Sequence, residues 1–131
     1  MNECIVVENC FKNRYGVIMK KESFVDSVIR WNDERCLKDF NKGNEYYMLK
    51  EELTEFVDAD IEHDMIDALC DIIVVAVGSI NKLGYNVDVA MNETLKEIHS
   101  RTGTINNQTG KFEKDKNVKT YKANYSVAEN D

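Results

Sequence analysis

The sequence has no proline and only six glycines among its 131 residues. Sandwiches and barrels need frequent turn residues between short strands, so this scarcity argues against them and favours helices joined by short loops. No hydrophobic run approaches the roughly 18–20 residues that span a bilayer. The first residues do not show a positively charged start followed by an apolar stretch. The sequence therefore predicts a protein with no membrane partner and no secretory signal.

Metal-binding cysteine pairs are also lacking. The four cysteines form no C-x-x-C pair, and His63 and His99 stand far apart in the sequence. This spacing is not that of a zinc site. Cys70 lies in an apolar run, which predicts a small core side chain. The simplest interpretation is a reduced, cytoplasmic protein without disulfides.

Basic residues are too few for a general nucleic-acid binder, which needs a basic face to neutralise phosphates. The net charge is −7, with 11 basic and 20 acidic residues over 1–100, but 6 basic and 4 acidic residues over 101–131. An acidic domain can still bind phosphates through a divalent cation. We therefore expect no nucleic-acid polymer as partner, and the basic tail offers additional phosphate contacts.

Hydrophobic residues recur at helical spacing in four segments, at about 23–40, 45–59, 61–83 and 87–101. Ser23, three residues before Asp26, is typical of a helix start. Asp88 is a candidate cap for the last helix, and Gly84 is expected to end the third. The predicted inner faces carry Leu49, Leu53, Phe56 and Val57 on the second helix, and Val87, Met91, Leu95 and Ile98 on the fourth.

The third segment is almost wholly apolar over 68–77. This predicts a helix in the middle of a bundle, although the β-branched residues 72–75 are also compatible with a buried strand. Ile5-Val6-Val7 indicate a short strand or an arm. The predicted fold is all-α, a single domain over 1–131. It consists of an antiparallel four-helix bundle at about 23–101, an N-terminal arm, and a basic extended C-terminal tail at about 104–131.

Acidic side chains accompany the apolar stripe of the second predicted helix. In the sequence Glu51-Glu52-Leu53-Thr54-Glu55, Glu52 and Glu55 share one helix face, as do Glu51 and Glu55. Glu52 lies only about 60–80° from the middle of the stripe, which directs it towards the bundle. For Glu51, a solvated helix face is the alternative interpretation.

Three aspartates share one face of the third predicted helix. Asp64, Asp67 and Asp71 are spaced i, i+3 and i+7, so they fall within an arc of about 60°. Stabilisation of a helix start by its dipole is the alternative explanation for Asp64. Asp71 lies in an apolar run, where an unpaired carboxylate is costly. Two sets of acids without nearby arginines predict a site for Mg²⁺ or Mn²⁺.

This order of acids resembles the MazG-like family of all-α nucleoside triphosphate pyrophosphohydrolases, whose superfamily includes dimeric dUTPases and phosphoribosyl-ATP pyrophosphohydrolase. The resemblance spans about 45–101 and rests on E-E-L-T-E at 51–55 and D-A-L-C-D at 67–71. The tail, with G-K-F-E-K-D at 110–115 and Y-K-A-N-Y at 121–125, is similar to the ends of phage-encoded members. That similarity implies a phage or bacterial origin, with the host cytoplasm as location if the chain is phage-encoded.

The resemblance implies a reaction in which an NTP or dNTP is cut between its α and β phosphates. The cofactor is Mg²⁺, for which Mn²⁺ substitutes. The implied catalytic residues, which are also metal ligands, are Glu51, Glu52, Glu55 and Asp71. The family pattern, E-E-x-x-E followed by E-x-x-D, places a glutamate where this chain has Ala68. We expect Asp67 to replace that ligand, with Asp64 as the alternative.

Substrate and partner expectations follow from the same resemblance. The candidates for balancing phosphate charge are Lys82, Lys96, Arg101, Lys111 and Lys114. Trp31 and Asn32 are candidates for base recognition, with core packing as the alternative for Trp31. A homodimer or homotetramer is implied, and an all-round apolar central helix favours association independently. The competing hypotheses are a catalytically degenerate nucleotide- or protein-binding module and a structural helical dimer with incidental acids.

Overall fold

The computed structural model describes residues 6–7, 10–12, 14–16, 18–20 and 22–131. Four helices dominate it, α1 (Phe24–Glu34), α2 (Lys42–Asp58), α3 (Glu62–Lys82) and α4 (Val87–Ser100). The predicted helical character is therefore confirmed, and residues 72–75 are helical rather than extended. Within the described part of the chain, no helix has the length and apolar character needed to cross a membrane.

Short strands accompany the helices, so the prediction of an all-α fold is incomplete. The strands are β1 (Val6–Val7), β2 (Cys10–Lys12), β3 (Ile18–Lys20), β4 (Gly103–Ile105) and β5 (Phe112–Lys114). The first three form an antiparallel sheet in chain order, and β4 and β5 form an antiparallel hairpin. Of the predicted arm, Val6 and Val7 form β1, while Ile5 lies outside the described residues.

The chain divides into two compact units, the N-terminal unit of residues 1–78 and the C-terminal unit of residues 79–131. In the N-terminal unit, α1 approaches α3 at a glycine. Asn32 of α1 is buried, and a Cβ atom added to Gly78 of α3 would lie 2.7 Å from Asn32 Nδ2. Gly78 therefore leaves room for the buried Asn32 side chain, and this role does not depend on an unusual backbone angle.

α1 ends at Glu34, six residues before the predicted boundary at 40. The amide of Leu37 donates to the carbonyl of Asn32, and the amide of Cys36 donates to that of Asp33. These bonds, with Cys36 in the left-handed region at φ 56°, form a Schellman motif. The apolar spacing continued past this point in the sequence, but the motif closes the helix.

Asparagine caps set two other helix starts. Asn41 Oδ1 accepts from the amide of Asn44, so α2 begins at Lys42 instead of 45. Asn86 Oδ1 accepts from the amide of Val89, which makes Asn86 the cap of α4 in place of the predicted Asp88. The expected start at Ser23 is confirmed, since its hydroxyl accepts from the amide of Asp26. A short polar side chain at each site satisfies an amide that the first helical turn leaves free.

Several helix faces that periodicity predicts to be buried are open to solvent. On α2, Leu53 and Val57 are exposed, and Cys70 of α3 is exposed as well. Exposed apolar residues of α3 include Ile66, Leu69, Ile73 and Val74. Periodicity shows which side chains share a face, but not whether anything in the same chain covers that face. Among the described residues, apolar side chains of α3 remain exposed, so the chain does not cover every face of this helix.

The buried face of α4 also differs from the predicted one. Its buried residues are Val87, Ala90 and Glu93, whereas the predicted inner residues Met91, Leu95 and Ile98 are exposed. The C-terminal residues explain the difference, because they form a 3₁₀ helix (Tyr125–Ala128) that packs on α4. The amide of Asn86 donates to the carbonyl of Ala128 at 2.7 Å, and Ala128 is only 1% exposed.

Glu93 holds the C-terminal segment on α4. It is 4% exposed and accepts three hydrogen bonds, from Lys96 Nζ at 2.8 Å, the Tyr121 hydroxyl at 2.5 Å and the Asn124 amide at 3.0 Å. These donors, Lys96 first, lower the pKa of Glu93 to about 2 although burial acts to raise it. Within the predicted tail, Tyr121 and Asn124 are therefore held on α4 by one buried carboxylate.

Candidate metal centre

Three of the predicted metal ligands come together in the N-terminal unit. Glu52 and Glu55 are three residues apart on α2, so they project from one helix face. Asp71 projects from α3. Each residue offers one carboxylate oxygen, and these oxygens lie within 4.8 Å of one another. Among the described residues, no other group of three or more carboxylate, histidine or cysteine side chains lies close enough to hold a metal ion.

One oxygen of this cluster has no hydrogen-bond partner. Glu52 Oε2 is the only buried side-chain oxygen or nitrogen without a partner in the part of the chain that the structure describes. Native proteins satisfy nearly all buried polar groups, because an unsatisfied one loses its interaction with water and gains nothing in return. The buried oxygen therefore marks a place where a donor or a cation fits.

The electrostatic environment of Glu52 supports the same conclusion. Burial raises the pKa of Glu52, and the negative charges of Glu55 and Asp71 raise it further. A hydrogen bond with Glu55 and the charge of Glu51 act in the same direction. A cation placed among these groups would reverse every one of the charge effects, because it favours the ionised carboxylates.

The donor set fits magnesium or manganese. Both ions prefer hard oxygen ligands, and three carboxylates supply them without any nitrogen or sulfur donor. Oxygens on opposite sides of a Mg²⁺ ion are about 4.2 Å apart, since each Mg–O bond is about 2.1 Å. The three carboxylate oxygens lie within 4.8 Å of one another. Glu52 and Asp71 are half-buried and Glu55 is exposed, which leaves one side open to a ligand.

The other predicted acidic ligands are not in the cluster. Glu51, Asp64 and Asp67 are exposed on their helices. Glu51 acts on the site only through its charge. Ala68, at the position where the family pattern has a glutamate, is 1% exposed and belongs to the core. The structure thus brings together three of the five predicted metal ligands, and neither aspartate proposed to replace the missing glutamate joins them.

The two candidates for base recognition differ in exposure. Trp31 is 49% exposed, and the guanidinium of Arg35 lies 4.1 Å from the centre of its ring. Asn32 is 7% exposed and packs against Gly78. Trp31 therefore presents an aromatic face that already carries a cation, whereas Asn32 serves the contact of α1 with α3.

The predicted phosphate-binding residues all lie in the C-terminal unit. Arg101, Lys111 and Lys114 line one cleft of about 340 Å³, together with Phe112 and Glu113. This cleft brings three of the five basic candidates together. The other two are half-buried Lys82 in α3 and Lys96, whose ammonium group is engaged by Glu93.

Sequence reasoning did not single out Glu93. Its position was informative, because Glu93 follows Val87 and Ala90 at intervals of three residues on one face of α4. The missing information was the set of three donors, two of which come from residues about 30 positions further along the chain. Such donors are not visible in a local pattern.

Comparison with known proteins supplies no relative. No family model, curated protein or solved structure matches this chain.

Proposed function

We propose that this protein is a Mg²⁺-dependent nucleoside triphosphate pyrophosphohydrolase. In the proposed reaction, the oxygen of a water molecule forms a bond to the α phosphorus of an NTP or dNTP. The bond from that phosphorus to the oxygen bridging the β phosphorus breaks. The products are the nucleoside monophosphate and pyrophosphate, and Mn²⁺ substitutes for Mg²⁺. The observation that carries the proposal is the convergence of Glu52, Glu55 and Asp71 around an unpartnered buried oxygen.

Each carboxylate of the cluster has a distinct proposed role. Glu52 and Asp71 are half-buried, so they are suited to hold the cation in a fixed position. Glu55 is exposed, so it is the member that an incoming phosphate or water reaches first. When bound, Mg²⁺ supplies neutralisation of phosphate charge and a lower pKa for a coordinated water.

The proposal extends to the assembly and its setting. The four helices form an antiparallel bundle within one domain, and the protein acts in the cytoplasm as a homodimer or homotetramer. Glu51 and Asp67 contribute as additional acidic residues, and the basic residues of the C-terminal unit contribute phosphate contacts. The bundle follows from the helical periodicity and the cytoplasmic setting from the cysteine spacing, whereas the assembly and the roles of the acidic and basic residues follow from the resemblance to the MazG-like family.

A catalytically degenerate binding module is the second candidate. The burial of Ala68 at the position of a family glutamate favours it, because one metal ligand of the family pattern is replaced by a core residue. In that case the chain binds a nucleotide or a protein partner without turnover. The two candidates differ in whether products form, and not in whether the cation binds.

The decisive experiment is product analysis with the full-length chain, Mg²⁺ or Mn²⁺, and each common NTP and dNTP. We expect nucleoside monophosphate and pyrophosphate, abolished by EDTA. Glu52→Gln should lower the rate by at least about 100-fold, since even residues that only orient metal ligands contribute 10- to 100-fold. Asp58→Asn, which removes an exposed charge from the same helix, is the matched control and should leave the rate unchanged.

Cation binding is measured separately, by the shift in thermal midpoint on addition of Mg²⁺. We expect a shift for the wild type and Asp58→Asn, and none for Glu52→Gln or Asp71→Asn. Diphosphate and phosphate as products would contradict the proposed scissile bond. A metal-dependent shift without any product would favour the binding module. The absence of both would contradict a metal centre at this cluster.

A further inference from the structure

The C-terminal unit contains an apolar cleft to which no residue of the carboxylate cluster contributes. Its volume is about 450 Å³, which falls within the range of about 300–1,000 Å³ that is typical of small-molecule sites. The walls come from three segments, the end of α3, α4 and the 3₁₀ helix, and they include Ile80, Tyr85, Met91, Thr94 and Tyr125. Because several segments bound it, the cleft can surround a ligand, which the exposed face of a single helix cannot do.

Backbone hydrogen bonds hold the walls of the cleft in place. The amide of Asn86 donates to the carbonyl of Ala128 at 2.7 Å, and the amide of Asn130 donates to the carbonyl of Gly84 at 2.9 Å. These bonds fasten the segment that carries Tyr125 beside the start of α4. Small-molecule sites are usually largely formed before the ligand binds, and this cleft meets that condition.

The hydroxyl groups of the cleft are arranged as acceptors. Thr94 Oγ1 donates its single hydrogen to the carbonyl of Ala90 at 3.0 Å. The Tyr125 hydroxyl lies 3.0 Å from Thr94 Oγ1, so it must be the donor in that contact. The Tyr85 hydroxyl donates to Glu129 Oε1 across a longer distance of 3.4 Å. Both phenol oxygens therefore keep lone pairs for a ligand but have no hydrogen left to donate to it.

The electrostatic character of the cleft favours a positive ligand. Among the described residues, no lysine, arginine or histidine lines it. Glu129 is exposed beside Tyr85, and in the described part of the chain the Tyr85 hydroxyl is the one group that donates to its carboxylate. The rings of Tyr85 and Tyr125 add electron-rich faces, which attract cations. The cleft therefore combines apolar walls with hydrogen-bond acceptors and an adjacent carboxylate that has no ion pair.

We propose that this cleft binds a small organic cation, a protonated amine with an aromatic or aliphatic body. The ammonium group supplies N–H donors for the two tyrosine hydroxyls and a positive charge for Glu129. The body of the ligand packs on the apolar walls, which include Ile80 and Met91. An anionic or purely apolar ligand would cover the acceptors without satisfying them, which is costly. The proposal does not depend on nucleotide hydrolysis, because the carboxylate cluster does not line the cleft.

Calorimetric titration of the full-length chain with phenethylamine at neutral pH tests the proposal. We expect a dissociation constant below about 1 mM. Phenylacetate, an anion with the same ring, and ethylamine, a cation without the ring, should each bind at least about 10-fold more weakly. Equal binding of the three probes overturns the proposal, and so does the absence of phenethylamine binding.

Two opposite charges introduced at Met91 separate charge from fit. Met91 is 44% exposed on α4, and lysine and glutamate are both good helix formers. Met91→Lys should raise the dissociation constant of phenethylamine by at least about 10-fold, because it places a like charge beside the ammonium group. Met91→Glu is the matched control and should leave the dissociation constant unchanged or lower it. Equal weakening by the two variants overturns the proposal.

The polar groups are tested one at a time. Tyr125→Phe keeps the ring but removes the acceptor, and it should raise the dissociation constant about 3–10-fold. Glu129→Gln should have a similar effect, with Asp131→Asn as the matched control because it removes an exposed charge two residues further along the chain. Circular dichroism checks that the variants fold. Binding that neither Tyr125→Phe nor Glu129→Gln weakens overturns the proposal.

A second copy of the chain is the competing occupant of the cleft. In that case Met91→Lys would lower the mass measured by sedimentation while phenethylamine would not bind to the wild type, and this result overturns the proposal. The outcomes are separate from those of the hydrolysis assay. Amine binding without nucleotide hydrolysis supports the cleft and contradicts the proposed reaction, whereas hydrolysis without amine binding supports the reaction and contradicts the cleft.

Discussion

Glu52 in α2 and Glu93 in α4 are both glutamates on the inner side of a helix, but their surroundings are opposite. Glu93 receives three hydrogen bonds, which lower its pKa to about 2. Glu52 has a buried oxygen without a partner and lies beside Glu55 and Asp71, so its pKa is raised. The first carboxylate stabilises the fold around it. The second has no such donors, and its neighbours are like charges.

The comparison separates a buried carboxylate surrounded by donors from one surrounded by like charges. A buried charge is tolerated where donors surround it, and it then fixes the groups that donate to it. In the C-terminal unit these groups belong to the segment that packs on α4. A buried charge among like charges is instead tolerated where it serves to bind a ligand, which is why perturbed carboxylates mark functional sites.

The largest stability effect should come from removing the charge of Glu93. Glu93→Gln leaves the Lys96 ammonium and the Tyr121 hydroxyl without a charged acceptor, and its own amide hydrogens oppose these donors. The thermal midpoint should fall by about 5–15 °C, measured by circular dichroism. Glu97→Gln, whose weak ion pair with Arg101 spans 3.9 Å, is the control and should shift the midpoint by about 2 °C or less. Equal shifts in both variants would contradict the role of Glu93.

Acid should remove the contribution of the ionised Glu93 side chain to the stability of the folded chain in a defined pH range. Because the folded-state pKa is lowered from 4.5 to about 2, the ionised form stabilises the folded chain fully above pH 4.5. This stability is lost as pH falls towards about 2, because the unfolded chain binds the proton first. The difference in urea midpoint between wild type and Glu93→Gln should therefore shrink between pH 4.5 and 2. A difference that stays constant over this range would contradict the claim that the ionised form of Glu93 stabilises the folded chain.

Tyr121→Phe should have a smaller effect than Glu93→Gln. It removes one donor, the hydroxyl 2.5 Å from Glu93 Oε2, but leaves Lys96 and the Asn124 amide in place. A fall in thermal midpoint of about 3–6 °C is expected. Hydrogen exchange should show faster exchange of the Asn124 amide in the variant. An unchanged exchange rate would mean that the hydroxyl does not help to hold the segment.

Glu52→Gln should change stability in the opposite direction. Without added metal, the substitution removes a like charge beside Glu55 and Asp71. The thermal midpoint at neutral pH should rise by about 1–4 °C. Asp58→Asn, on the exposed side of the same helix, is the matched control and should change the midpoint less. A fall in the thermal midpoint on Glu52→Gln would show that the ionised Glu52 stabilises the fold, as Glu93 does. The proposed difference between the two glutamates would then be wrong.

The acidic residues of the cluster were predictable from the sequence to different degrees. Spacing placed Glu52 and Glu55 on one helix face, and an aspartate in an apolar run identified Asp71, because helical periodicity fixes these relations locally. Glu51 and Asp67 satisfied the same rules but are exposed and outside the cluster. Spacing shows which acidic side chains share one side of a helix. The approach of α3 to α2 determines which of them lie close enough to meet those of the other helix.

The sequence by itself determined the number of helices, the start of α1 at Ser23 and the acidic character of the site, because these depend on interactions a few residues apart. Only the tertiary structure decided the end of α1, the hairpin in the predicted tail, the burial of Glu93 and the exposure of the α2 stripe. Each of these depends on groups distant in the chain or on a backbone motif that many sequences can form. Hydrophobic periodicity shows which side chains share a face, but the three-dimensional arrangement of the chain determines which of these faces are covered.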